Sequence, residues 1–390
     1  AAIRCLLTGE RSEVIAVRLP QNCYLPVPIR EHHVEGNTAS ATVIKDAGDD
    51  PDATHHAELR ARVRFVSFSE RQNELTLGRI LDDSGIHLVA GEGIGIATKH
   101  GLAVAKGEPA VNPVPRAMLV LNLSEELMQS EKSKIQASFE PASLQESVYP
   151  HVFLPFTSNG TCFKQLLLEV HVEAPRGRIL ARRTLNSRLG VVDGISILGT
   201  SGIVKPFSNK AYEETVEAAL RVASANDCQE VVLSTGGKSE RYAQRILADL
   251  PTEAFVQIAD FYAFAVRQSH QLGFKSLVHS VFFGKAVKMA KGHPYTHAHK
   301  VALDLSSLAQ IAKERGHEDM FCQRLSTANT ARYALELLRV RGDREVIELI
   351  ARRALEQSAM FTENSLHLRL LLFDYDGTLV VDVKKPSANS

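Results

Sequence analysis

Between residues 210 and 283 two kinds of apolar pattern alternate. Lys210–Asn226 has helical spacing, Glu230–Ser234 is a short valine-rich run, and residues 239–250 return to helical spacing. Ala254–Asp260 is strand-like again, and after another helical stretch Ser276–Phe283 repeats the short apolar run. Strands separated by helices cannot pair as hairpins; they need crossover connections, which build a parallel sheet flanked by helices. Helices are expected to follow at roughly 301–315, 328–340 and 343–358, then a last strand, His367–Phe373, ahead of a polar tail.

The first half reads differently. Glu13–Pro20, Ala39–Asp46, Ala61–Phe68, Ile86–Ala90 and Leu166–Pro175 carry β-branched residues near period two, separated by glycine-rich breaks. Between about 124 and 163 the pattern fades into Ser, Glu, Gln and Lys, which predicts a long surface insertion, partly helical at 124–132. Gly and Pro cluster near 195–210, so the expected domains are 1–200 and 201–390. A chain of 390 residues can bury a core in each.

Charge and cysteine content exclude several classes. Lys plus Arg and Asp plus Glu both number 45, which argues against a nucleic-acid footprint. No apolar run approaches the roughly 20 residues of a membrane helix, and no basic region followed by an apolar core opens the chain, so no membrane contact and no secretory signal are expected. The cysteines number 5, are widely spaced and form no CxxC, which fits reduced thiols in a cytoplasmic setting better than a disulfide frame or zinc site.

Five segments carry residue types that chemistry uses. KDAGDDPDATHHAE, 45–58, crowds Asp46, Asp49, Asp50, Asp52 and Glu58 with His55 and His56 at the end of a strand. That pattern suits a proton acceptor, a hydroxyl-binding site or a hard cation, and equally an acidic turn capping a helix through Asp52 or Thr54. GEGIGIATKHGLAVAKGEPAVNPVPR, 91–116, lets backbone approach a ligand at Gly91, Gly93 and Gly95, or forms tight hairpins; Asn112 and Arg116 flank its prolines. It lacks the helix expected of a dinucleotide fingerprint. RTLNSRLGVVDGISILGTSGIVKPFS, 183–208, suits either a junction of backbone amides facing a ligand or a linker. VVLSTGGKSERYAQ, 231–244, is a strand, a glycine turn and a helix start, where open α/β sheets bind anionic ligands; the plainer alternative is a βα turn with Ser239 as cap. FGKAVKMAKGHPYTH, 283–297, sets Lys285, Lys288 and Lys291 on one helix face near His293 and His297, a carboxylate-binding surface or a solvated one.

A sixth string, LLLFDYDGTLV at 370–380, locally resembles the nucleophile loop of haloacid-dehalogenase phosphatases. That fold builds its core after this strand, and the remaining tail cannot supply one. The expectation is an edge strand ending in an Asp-Gly turn.

In sequence order, VIKDAGDDPDATH, GEGIGIATKHGLAVAKGEPAVNPVPR, TLNSRLGVVDGISILGTSGIVKPFS and GKAVKMAKGHPYTH resemble the CbiD family of cobalt-precorrin-5B C1-methyltransferases of anaerobic cobalamin biosynthesis. The resemblance implies an α+β N-terminal domain, permuted and ribosomal-S5-like, followed by a Rossmann-like α/β domain. It implies S-adenosylmethionine as cofactor and a cobalt-containing tetrapyrrole as partner, the cobalt arriving with the substrate and no resident metal being needed. A homo-oligomer is compatible with it. Asp46, Asp50 and His55 then become candidates for proton handling, and Gly91, Gly93 and Gly95 or Thr235, Gly236 and Gly237 for holding the donor. Asn112, Arg116, Asn186, Arg188, Lys205, Lys285, Lys288 and His297 become candidates for the substrate's acetate and propionate groups. The alternative is a non-catalytic tetrapyrrole-binding or assembly protein of the same fold. Two departures from the family stand out. Its usual Asn-Phe-x-Gly is replaced by Asp260-Phe-Tyr-Ala, and the glycine-rich run before Gly284 reads HSVFF.

Overall fold

The computed structural model describes residues 1–67, 78–81, 85–137, 166–206, 208–297 and 304–387. It divides into two compact units, Ala1–Phe207 and Ser208–Ser390.

In the first unit a short helix, α1 (Ala2–Thr8), precedes a hairpin of β1 (Val14–Arg18) and β2 (Tyr24–Pro28). Six strands follow: β3 (Glu31–Glu35), β4 (Thr38–Ile44), β5 (Glu58–Ser67), β6 (Gly78–Leu81), β7 (Ile86–Ala90) and, after β8 (Ile96–Ala97) and the helix α2 (Pro113–Ala137), β9 (Leu166–Glu173). Apart from β8 they form a six-stranded sheet in the order β3-β4-β5-β9-β7-β6, antiparallel except where β7 meets β9. Alternation along each strand divides the two faces. Ala39, Ala41, Val63, Leu168 and Val170 are buried in one core with Ile3 and Cys5 of α1 and Leu127 of α2. The helices α3 (Gly177–Ala181) and α4 (Asn186–Leu189) then lead to β10 (Val191–Val192), which pairs with β8.

Several details differ from the sequence expectation. The helix predicted at 124–132 belongs to α2, which starts at Pro113, a residue suited to a first helical position because its missing N–H would be unsatisfied there anyway. Residues 138–165 of the expected insertion lie outside the described residues. The loop 45–57 caps no helix; it joins β4 to β5 within one antiparallel hairpin, with Ile44 opposite Glu58.

The second unit opens with α5 (Asn209–Ala225), capped by Ser208, whose side chain accepts from the Ala211 N–H. Then follow β11 (Glu230–Ser234), α6 (Gly237–Ile246), β12 (Phe255–Gln257), α7 (Tyr262–Gln271), β13 (Ser276–Phe282) and α8 (Phe283–Ala290). The helices α9 (Ser306–Glu314), α10 (Asp319–Ser326), α11 (Ala331–Val340) and α12 (Arg344–Met360) precede β14 (His367–Phe373) and β15 (Leu379–Lys385). The sheet order is β12-β11-β13-β14-β15, with β11 to β14 mutually parallel and β15 antiparallel. The continuous runs Val231–Leu233 and Leu370–Phe373 are buried, as parallel strands covered on both faces require.

β15 corrects the expectation of a polar tail. Val381 and Val383 point inward, while Asp382 accepts from Arg369 Nε and Nη2 at 2.9 and 2.7 Å on β14. β14 is therefore interior, not the expected edge strand. Asp374-Tyr-Asp-Gly-Thr378 is the turn of this last hairpin: Asp374 N–H donates to Thr378 O at 2.9 Å, and Asp376 Oδ1 accepts from Thr378 N–H at 2.8 Å. Asp374 is ion-paired with Arg339. Here the string resembling a phosphatase nucleophile loop is the turn of an antiparallel hairpin, with the first aspartate of the motif taken up by Arg339.

Candidate functional site

In the second unit the chain leaves β11 toward β12 on one side, and the strand on its other side is β13. Connections diverging in this way open a crevice beyond the carboxyl ends of the strands, the usual ligand position in open α/β sheets. Four loops meet that end: Thr235-Gly236-Gly237 after β11, Ile258–Phe261 after β12, the start of α8 after β13, and the Asp374–Thr378 turn after β14.

Gly236 is the N-cap of α6, and a Cβ built on it meets no atom within 4 Å. One at Gly237 meets only side-chain ends at 3.5 and 3.6 Å, from Gln257 and Arg241. This turn is open. Ser239 does not cap α6 as expected; its Oγ donates back to Gly236 O at 2.9 Å. Ser280 Oγ donates to Ser239 O at 2.7 Å, tying β13 to the first turn of α6.

Asp260 follows Ala259, whose φ of 46° is in the left-handed region. Asp260 Oδ1 receives Lys285 Nζ in an ion pair and Thr296 Oγ1 at 3.1 Å. Lys285 also donates to Thr296 O at 3.1 Å. Lys288 is buried and donates to the carbonyls of Thr296 and His297 at 3.3 and 3.2 Å. Burial, then the neighbouring Lys285 charge, lowers its pKa from the usual lysine range. His297 Nε2 lies 4.0 Å from Asp260 Oδ2. Lys291, expected on the same helix face, lies past the end of α8 and pairs with Asp304. Asp260 and Thr296 are the residues that sequence reasoning missed. The available signal was Asp260 itself, standing where the resemblance expects Asn, with two lysines downstream in need of a counter-charge.

In the first unit the structure brings together the 91–116 and 183–208 segments. Ile195 N–H donates to Gly93 O at 2.9 Å, Gly95 N–H to Ile195 O at 2.8 Å, and Asn112 N–H to Ile197 O at 2.8 Å. A Cβ on Gly93, whose φ is +73°, would lie 2.0 Å from Ala174 O. Gly91 and Gly95 are likewise pressed against Glu173 and Val191. The space these glycines vacate is filled by protein. Asn186 is buried and donates to Gly194 O at 2.9 Å, and half-buried Arg188 has its pKa lowered by burial. Arg116 is spent internally: it donates to Val111 O, Pro109 O and Glu108 at 2.6, 3.1 and 2.9 Å. Asn112 stands half-buried just ahead of Pro113.

The acidic loop is organised around Lys45, which pairs with Asp52 and donates to Thr54 Oγ1 at 2.5 Å. Burial works to raise the Asp52 pKa, but the hydrogen bonds from Lys45 and Thr54 outweigh it and hold the carboxyl below the usual range. His55 Nδ1 accepts the Ala47 N–H at 3.0 Å, which leaves the ring proton on Nε2. The His55 and His56 ring centroids are 3.7 Å apart. Asp46 is exposed and accepts the Gly48 N–H at 2.8 Å; Asp50 is half-buried. Among the described residues no group of three or more His, Cys, Asp or Glu converges as a metal site, and no helix is long and apolar enough to cross a membrane.

Residues 1–143 and 156–206 match the CbiD family, and residues 295–384 match the family described as "CbiD, C-terminal domain". Similar curated proteins carry the name cobalt-precorrin-5B C(1)-methyltransferase. One from Leptospira borgpetersenii serovar Hardjo-bovis is 34% identical over 97% of this chain and 90% of its own. Another from Geobacillus kaustophilus is 35% identical over 90% of this chain and 82% of its own, and one from Desulfotalea psychrophila is 33% identical over 94% and 89%. A solved structure titled as the cobalamin biosynthesis protein cbiD from Archaeoglobus fulgidus aligns over 73% of both chains at 18% identity with a TM-score of 0.31.

Proposed function

The chain belongs to the CbiD family, and on that premise we propose that it transfers a methyl group from S-adenosylmethionine to carbon 1 of cobalt-precorrin-5B in cobalamin biosynthesis. The donor supplies an electrophilic methyl on a sulfonium. The protein's task is to align that methyl with the ring carbon and to manage the accompanying proton, and alignment supplies much of such a rate.

The observation that carries the donor site is the pairing of an open glycine turn with an acid on the next strand. Thr235-Gly236-Gly237 leaves room for the adenosine beside the first turn of α6, and Asp260 follows β12, where open α/β nucleotide sites hold the acid that accepts from ribose hydroxyls. Lys285 and Thr296 fix that carboxylate. In this reading Lys288 and His297 shape the adjoining loop. Of the proton-handling candidates, His55, whose Nδ1 accepts the Ala47 N–H, offers its Nε2–H as a donor, Asp50 is the acceptor, and Asp46 orders the turn at 46–48. We further read residues 1–200 as the permuted ribosomal-S5-like domain, with an insertion near 124–163, and residues 201–390 as the Rossmann-like domain.

Titration calorimetry with S-adenosylmethionine tests the reading. Binding in the micromolar range is expected, and Asp50→Asn is expected to keep it while slowing methyl transfer by about 100-fold. Absence of donor binding, with and without tetrapyrrole, would instead favour a non-catalytic tetrapyrrole-binding protein of the same fold.

A further inference from the structure

From Ala174 to Val192 the chain carries five arginines, Arg176, Arg178, Arg182, Arg183 and Arg188, and no acid. The short helix α3 fixes how the first four are displayed. Gly177 is buried, and Leu180 and Ala181 pack against the core of the first unit. A Cβ on Gly177 would stand 2.0 Å from Gly93 O, so this edge of the helix is pressed onto the 91–116 segment. The opposite arc of the helical turn then falls to Arg176, Arg178, Ile179, Arg182 and Arg183. Arg182 continues the turn with φ −62° and ψ −19°, and Arg183 N–H donates to Leu180 O at 2.9 Å, so Arg178 and Arg182 lie one turn apart on one side. All four arginines are exposed. Ile179 between them is 57% exposed, and Leu185, just past the turn, is 37% exposed.

Other arginines of this unit are neutralised. Arg4 faces Glu126, Arg62 faces Glu173, Arg64 faces Glu169 and Arg116 faces Glu108. Among the described residues no carboxylate pairs with Arg176, Arg178, Arg182 or Arg183, and none of the four donates a side-chain hydrogen bond within the protein. Two acids stand nearby. Glu92 has its carbonyl on the Ala174 N–H at 2.7 Å, and Asp193 precedes Gly194, which is also pressed against Gly93. Both are exposed and neither takes up one of the four, so this surface keeps an excess of positive charge.

Like charges gathered on one helix face repel one another in the free protein, and an anionic partner relieves that repulsion. Arginine, unlike lysine, offers a fork that meets carboxylate or phosphate oxygens at two points. Ile179 and Leu185 decide between those anions. A phosphate backbone has no use for aliphatic side chains among its contacts, whereas a flat apolar ring with carboxylates around its rim meets both kinds of residue. We propose that the outer face of α3, with Arg176, Arg178, Arg182 and Arg183 around Ile179, is a docking surface for a polycarboxylate macrocycle, the tetrapyrrole of the methyl-transfer reading. The identity of the ligand rests on that reading; the selectivity for carboxylates does not.

The probes are cobyrinic acid, a cobalt corrinoid with free carboxylates, and cobinamide, in which the corresponding groups are amides, each titrated into the full chain. The acid is expected to bind at least about tenfold more tightly than the amide. Because the side chains are exposed and make no internal bonds, the double change Arg178→Gln with Arg182→Gln should melt like the parent protein. It should weaken binding of the acid about tenfold and leave the affinities for cobinamide and S-adenosylmethionine unchanged. Arg182→Lys, which keeps the charge and loses the fork, should weaken the acid by about threefold. Equal binding of acid and amide, or undiminished binding of the acid by the double variant, overturns the proposal. So does displacement of bound cobyrinic acid by a single-stranded RNA oligomer at lower concentration, which would mark a phosphate surface. Arginine-dependent binding of the acid by a protein that takes no S-adenosylmethionine would keep the docking surface and remove the methyl-transfer reading. Donor binding and methyl transfer undiminished in the double variant would keep that reading and remove the docking surface.

Discussion

Asp260 and Lys285 follow two strands that do not touch. β12 and β13 lie on either side of β11, so the ion pair between these residues reaches across the carboxyl end of the strand between them. It links the loop after β12 to the first turn of α8 beside the open Thr235-Gly236-Gly237 turn, and Thr296 joins it with a second hydrogen bond to the same carboxylate oxygen.

Asp260→Asn keeps the shape and removes the charge. Both Asp260 and Lys285 are about three-quarters buried, so the change should cost about 2 kcal/mol in urea unfolding. Donor affinity should fall by at least about tenfold. A double-mutant cycle with Lys285→Met should show coupling on the order of 1 kcal/mol; additive losses would mean that the pair contributes nothing beyond its separate side chains.

Gly93 and Gly236 should respond in opposite ways to alanine. At Gly93 the new Cβ would sit 2.0 Å from a carbonyl at a φ of +73°, so Gly93→Ala should destabilise the first unit by roughly 3 kcal/mol or more. At Gly236 the backbone is extended and the space empty, so Gly236→Ala should melt like the parent. The measurements are thermal unfolding for both and donor titration for Gly236→Ala, where about tenfold weaker binding is expected from a methyl placed in the donor's path.

His279 makes the second unit acid-sensitive. It is fully buried on β13, with Nε2 2.9 Å from Ser358 Oγ, and Ser358 is also 2.7 Å from the Tyr262 hydroxyl. Burial pushes its pKa down from 6.5 to about 3. The unfolded chain therefore takes up a proton below about 6.5 that the folded chain refuses. Stability is unaffected by this group above that pH and falls as pH drops toward 3, at up to about 1.4 kcal/mol per pH unit. His279→Gln, which can still bond Ser358, should flatten the slope of unfolding free energy between pH 4 and 6 by about one proton. An unchanged slope would show that the ring titrates in the folded state.

Asp374 tests the phosphatase resemblance of the last hairpin. No Mg²⁺-dependent hydrolysis of a generic phosphoester is expected from the parent protein. Asp374→Asn should cost no more than about 1 kcal/mol, the loss of a pair to half-exposed Arg339.

The parallel sheet was legible because Val231–Leu233 is a continuous apolar run and Ser276–Phe282 a short, mostly apolar one, both displayed by local sequence. β15 was not, since Asp382, Lys384 and Lys385 mask the period-two burial of Val381 and Val383. β2 was hidden by Pro26 and Pro28, residues that argue against an interior strand and are tolerated in this two-stranded hairpin. The glycines at 91, 93 and 95 signalled close approach correctly, but composition cannot say whether a ligand or another segment makes that approach. The pairing of Arg62 with Glu173 and of Arg64 with Glu169 was unreadable for a similar reason: it depends on a β5–β9 register between residues about a hundred positions apart.

The sheet of the second unit ends on one side in β12, three residues long, and on the other in β15, whose pairing with β14 closes the parallel edge and whose outer positions include Asp382 and Lys384. A short border and a charged one both discourage a neighbouring molecule from adding a strand. The sheet should therefore stay separate from its copies at the high local concentrations of synthesis and refolding. Any self-association of the intact protein would have to be built through side chains on another surface, not through backbone pairing along these edges.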